Sequence, residues 1–200
     1  MAMRSGGLYH KTAFRLCFLL ALCLSLFSGC SRQAAGGENI FQTAIRFEDG
    51  IICPRDCDFA APFDEVLKAK GLTEEAIDDA REDDRRIIQT ISIDGLSDEI
   101  REICSFQNDR LVSITYNIPV SPDDFDAVKS LLQQQAEAYI PEEMLLTSGE
   151  FLETGTIWQD EKENAIRLIT GSIHGSDDLM VSLSVNVAKT EEAMEQFMDD

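Results

Sequence analysis

The sequence predicts an α+β fold: an antiparallel sheet of about six strands, with one long helix packed on one face and short helices before it. Three observations carry this. Short segments between Ile87 and Ile118, and again between Thr154 and Val187, alternate apolar and polar residues, the pattern of strands with one covered face. Between them, Phe125, Val128, Leu132, Ala136 and Tyr139 recur at helical spacing, one apolar stripe on an otherwise polar helix. Asp94-Gly95 and Asn108-Asp109 are turn dipeptides that divide the first strand group into three.

Taken in order, Ile40 to Phe47 is a short amphipathic piece that fits a helix or a strand, and Gly50 to Ala61 reads as a loop. Pro62 opens a helix over Phe63 to Lys70, and Gly71 ends it, with proline at the start and glycine past the end. Thr73 is placed to cap a charged surface helix from Glu74 to about Arg86. Ile87 to Ile93, Glu99 to Phe106 and Leu111 to Ile118 are the first three strands. In the third, Val112, Ile114, Tyr116 and Ile118 are expected on one face. Ser121-Pro122-Asp123-Asp124 starts the long helix, because the serine caps, the proline suits the first turn and the aspartates meet the positive end of the dipole. Pro141 stops it. Thr154 to Gln159, Ala165 to Thr170 and Leu179 to Val187 are the last three strands, with loops at Asp160 to Asn164 and Gly171 to Asp178. Residues 188–200 read as an acidic tail.

The start of the chain has a different character. Arg4, Lys11 and Arg15 precede an apolar run from Leu16 to Phe27, then Ser28-Gly29. Basic, apolar, then small is the layout of a secretory signal. The run is too short for a membrane-crossing helix, which needs about 20 apolar residues. Leu26-Phe27-Ser28-Gly29-Cys30 resembles the lipobox of bacterial lipoprotein precursors, with Phe27 where that family usually has leucine. The resemblance implies cleavage after Gly29, lipid on the Cys30 thiol, and anchoring to the cell membrane or outer membrane facing away from the cytoplasm. More than one acyl chain makes such anchoring stable. The domain organisation expected is then a signal at 1–29, Cys30 and a polar tether to Asn39, one domain at 40–187, and the tail.

Residues 1–30 hold three basic residues and no acidic one, so the remainder carries 14 Lys and Arg against 37 Asp and Glu, a formal charge of −23. Such a surface repels phosphate backbones, and no nucleic-acid partner is expected. Roughly 160 residues follow the tether, enough to bury one core.

Candidate chemistry is sparse. Cys53, Cys57 and Cys104 remain beyond the anchor. Cys53 and Cys57, spaced C-x3-C, are the first disulfide candidate, and a bridge from either to Cys104 is the second. With His174 these cysteines make four possible zinc donors, but the spacing fits known zinc patterns poorly, so no metal or cofactor is expected. His174 sits in a glycine-bounded loop with no G-x-S-x-G elbow elsewhere, and Cys104 suits a buried small apolar residue. The sheet face away from the helix is expected to carry Thr115, Asn117, Ser182, Ser184 and Asn186, and Trp158, Ser182 and Ser184 are the partner-binding candidates. The element order from Phe63 to Val187, with Trp158 in a strand after the long helix, resembles β-lactamase-inhibitor-protein-like modules, a likeness that implies binding of varied partners. The sequence thus points to a lipid-anchored, non-enzymatic module for an envelope protein or wall component. The alternative is a small extracytoplasmic hydrolase or thiol enzyme using Cys104 or His174.

Overall fold

A computed structural model describes residues 39–73, 77–78, 85–153, 155–173 and 175–188. The signal, the lipobox, His174 and residues 189–200 lie outside them. Helix α1 (Ile40–Ala44) runs directly into strand β1 (Ile45–Glu48), which pairs with β2 (Ile51–Pro54) as a separate two-stranded hairpin. This corrects the loop expected from Gly50. Asp49 and Gly50 both adopt positive φ, 51° and 83°, the turn that Asp-Gly favours between twisted strands. Helix α2 (Phe63–Ala69) follows, with Pro62 at its N-cap.

The helix expected from Glu74 is corrected where it is described: Ile77–Asp78 forms a two-residue strand, β3, paired with β4. The main sheet continues with β4 (Arg86–Ile93), β5 (Ser97–Gln107) and β6 (Arg110–Val120). Helix α3 (Phe125–Tyr139) and a 3-10 turn (Glu142–Met144) come next, then β7 (Thr156–Gln159), β8 (Ala165–Ser172) and β9 (Leu179–Asn186). Gly171 and Ser172 extend β8 beyond its expected end by pairing with Met180 and Leu179. All pairings are antiparallel, in the order β3-β4-β5-β6-β9-β8-β7. The architecture is α+β, with six longer strands and the short β3 at one edge.

The register shows where the core sits. One row across the sheet reads Ile87, Cys104, Ile114, Val185, Ile166 and Trp158, each buried. The next reads Gln89, Glu102, Tyr116, Leu183, Leu168 and Thr156 on the same face. A bulge changes one expectation: the register slips between Ser105 and Phe106, so Leu111 is buried and Val112 is only half-buried. An extra residue in one strand moves the following side chains to the other face.

Elements outside the sheet complete the core. Ile40, Phe41, Ala44, Ile45 and Ile52 of the N-terminal segment are fully buried, and the Phe41 ring meets Trp158 edge-on at 5.8 Å. Phe63 of α2 stacks at a tilt on Phe106, 4.9 Å between centroids. Val128, Leu132 and Ala136 of α3 join the same apolar cluster. Gln135, also buried, fixes α1: its Oε1 accepts the Ile40 N–H at 3.1 Å, and its carbonyl accepts Asn39 Nδ2.

Candidate functional site

Beyond α3 the chain turns at Pro141 and comes back along the free edge of β7. Leu145 bridges Trp158, and the Leu146 N–H donates to the Ile157 carbonyl at 2.8 Å. Between this returning segment and α3 lies an open groove of about 500 Å³, within the size range of ligand sites. Ala136, Ile140, Leu145, Phe151 and Trp158 supply its apolar wall. Glu137, Glu142 and Gln133 are its long polar side chains, and among the described residues no lysine or arginine lines it. Ala136, Ile140 and Trp158 are mostly covered, whereas Leu145 is 43% exposed and the neighbouring Leu146 58%. The Phe151 and Trp158 rings are 6.3 Å apart and tilted.

The partner-binding candidates do not form one surface. Trp158 stands in the inward row, 5% exposed. Ser182 and Ser184 are on the opposite face, where one row reads Ile88, Ile103, Thr115, Ser184, Arg167 and Ile157. Trp158 pairs with Ile166 and Ser184 pairs with Arg167, the next residue along β8; successive residues on a strand point to opposite faces. On the outward face Ser182 Oγ donates to Asn117 Oδ1 at 2.7 Å, and Thr115 Oγ1 donates to Ser184 Oγ at 3.4 Å. These polar groups satisfy one another across strands.

A second polar cluster, missed in the sequence, lies under α2. Glu102, 3% exposed, accepts from Lys70 Nζ at 2.7 Å, from Tyr116 OH at 2.6 Å and from Gln89 Nε2. Lys70 has a side chain only 4% exposed and also approaches Asp56 at 3.6 Å. Burial opposes the Lys70 charge, but the Glu102 carboxylate and the other nearby acids outweigh it and leave its pKa raised. The signal for Glu102 was present: a carboxylate at the inward position of the series Ile100, Glu102, Cys104 and Phe106.

All three cysteines are free thiols, Cys57 and Cys104 beside this cluster and Cys53 beside Glu48 and Arg46, with no disulfide between Cys53 and Cys57. The backbone between them is held another way. The Arg46 guanidinium donates to the carbonyls of Pro54, Arg55 and Cys57 and pairs with Asp58 and Glu48. Burial pushes the Cys57 thiol up to about 11, and burial with the nearby Glu102 raises Cys104 further. Burial also raises Cys53. A raised pKa keeps the Cys57 thiol protonated at neutral pH, whereas the thiolate is the form that reacts. Among the described residues no group of three or more His, Cys, Asp or Glu is placed to hold a metal ion, and no helix is long and apolar enough to cross a membrane. No family model, curated protein or solved structure matches the chain.

Proposed function

We propose that this chain is a lipid-anchored extracytoplasmic lipoprotein whose α+β domain is a non-enzymatic binding module for an envelope protein. One observation carries the binding part: an open, aromatic-walled groove with exposed leucines at its mouth, the composition of an interface core rather than of a reaction centre. The Leu26–Cys30 lipobox resemblance supports the anchor. The burial of Val128, Leu132 and Ala136 supports a finer view of the fold, with α3 laid across the inward sheet face.

The thiol-enzyme alternative asks Cys104 to act as a nucleophile. It is 1% exposed and held protonated beside Glu102, the environment of an inert buried thiol. Fractionation of cells expressing Cys30→Ala tests the anchor: the variant is expected in the soluble extracytoplasmic fraction or retained unprocessed. Unchanged membrane association of a normally processed variant refutes attachment through Cys30. Turnover of any substrate that disappears on substituting Cys104 or His174 refutes the non-enzymatic reading.

A further inference from the structure

We infer that the groove between α3 and β7 takes a cationic amphipathic peptide segment: a large apolar side chain against Trp158 and Phe151, flanked by lysine or arginine facing Glu137 and Glu142. This rests on the binding-module reading and names the partner's chemistry. Two features of the groove select it.

The first is the division between wall and rim. The covered part is mainly apolar, built from Ala136, Ile140 and Trp158, with the buried Thr156 hydroxyl accepting the Leu152 N–H at 3.1 Å. Glu137 and Glu142 are exposed, and among the described residues no basic side chain lines the groove to neutralise them. An acidic ligand would bring like charges together in a partly desolvated site, which costs affinity. A neutral apolar ligand would leave both carboxylates beside its buried surface with no positive partner, Glu137 keeping only the Gln133 side-chain amide at 2.8 Å. A ligand with an apolar centre and positive flanks satisfies both. The charge of −23 beyond residue 30 attracts such a segment from a distance and speeds encounter.

The second is the extent of the apolar surface. Leu145 and Leu146 carry it out of the groove onto the open surface, so the occupant continues past the cavity, as a peptide segment does and a small organic cation does not. The tail at 189–200 is not a candidate occupant, because its sequence is acidic.

Trp158 is the one tryptophan in the chain, so its emission reports the groove directly. The experiment uses the full-length lipoprotein in phosphatidylcholine vesicles, titrated with the capped tetrapeptide Lys-Leu-Phe-Lys and with Glu-Leu-Phe-Glu. The lysine peptide is expected to change Trp158 emission saturably, and the glutamate peptide to leave it unchanged. The double variant Glu137→Gln and Glu142→Gln is expected to weaken binding about tenfold, since two rim charge pairs contribute modestly each. Both residues are exposed, so the variant is expected to fold. The control Asp64→Asn and Glu65→Gln on α2 removes the same charge elsewhere and is expected to bind as the parent does.

Equal weakening by the α2 control shows diffuse attraction and overturns the site. Equal binding of the glutamate peptide overturns the cationic preference. No emission change with either peptide overturns the groove as the site, while fractionation and in-cell crosslinking still decide whether the protein is an anchored module.

Discussion

Removing the Glu102 carboxylate tests the energetics of the interior most sharply. Glu102 accepts from Lys70, Tyr116 and Gln89 while only 3% exposed. Glu102→Leu takes away the nearer negative partner and leaves a lysine ammonium, itself 4% exposed, inside the fold with only the exposed Asp56 carboxylate at 3.6 Å. It also leaves the Tyr116 hydroxyl without its acceptor. Stranding one member of a buried pair costs about 3–5 kcal/mol, and the orphaned hydroxyl adds about 1–3 kcal/mol. A domain of this size is stable by roughly 5–15 kcal/mol in all, so the single variant is expected near the edge of folding. The triple variant Lys70→Met, Glu102→Leu and Tyr116→Phe removes the charge and two of the three stranded donors, leaving only the half-buried Gln89 amide without its acceptor. It is expected to recover most of the loss, to within about 2 kcal/mol of the parent, because replacing an ion pair with apolar groups is often neutral or better. Urea unfolding followed by Trp158 emission at neutral pH gives both values. A cost under about 1 kcal/mol for Glu102→Leu, or a triple variant no more stable than the single, refutes the claim that Lys70 and Glu102 form a desolvated, mutually dependent pair.

Three other outcomes follow from the same structure. Lys70, Cys57, Cys104 and Tyr116 all have pKa values raised in the fold, so each favours the folded state below its unfolded pKa and loses that contribution as pH rises toward its folded value; thermal unfolding is expected to be insensitive to pH from 6 to 8 and to weaken progressively above about 9, the ordinary thiol range, and constant stability to pH 11 contradicts this. Asp160, 8% exposed, accepts the N–H groups of Ile52, Lys162 and Asn164 and the Asn164 side-chain amide; Asp160→Ala is expected to cost about 2–4 kcal/mol in urea unfolding, and a loss below 1 kcal/mol shows that the tie between the two hairpins is dispensable. Arg46→Ala removes the donor that gathers Pro54, Arg55 and Cys57; limited trypsin digestion is expected to cut after Arg55 markedly faster in the variant, and equal cutting rates refute the role given to Arg46.

The sheet was legible where alternation is strict. Leu179 to Asn186 alternates without interruption and forms β9 within a residue of its expected end. It was misread at Val112 because a bulge is a property of two strands together, and the slip opposite Phe106 changes which β6 residue faces inward. The β1–β2 hairpin was missed because Ile51-Ile52-Cys53-Pro54 is short and does not alternate, although Asp49-Gly50 was a turn signal. Trp158 was grouped with Ser182 and Ser184 because assigning a face across strands needs the register, which no single segment carries. The groove was not legible at all. Leu145, Leu146 and Phe151 follow α3 in irregular chain, with no period to reveal what they meet, and only the return of that chain along β7 brings them beside Ala136 and Ile140.

The most direct measurement of the binding account is site-specific photocrosslinking in cells, with a photoreactive amino acid placed at Leu146 beside the groove or at Ile169, which is 50% exposed on the opposite sheet face. The account expects one reproducible envelope adduct from position 146, mapped by mass spectrometry to a lysine- or arginine-flanked apolar segment of the partner, and no such adduct from position 169. Adducts from position 169 alone, or none from either position in protein that is folded and membrane-bound, contradict it.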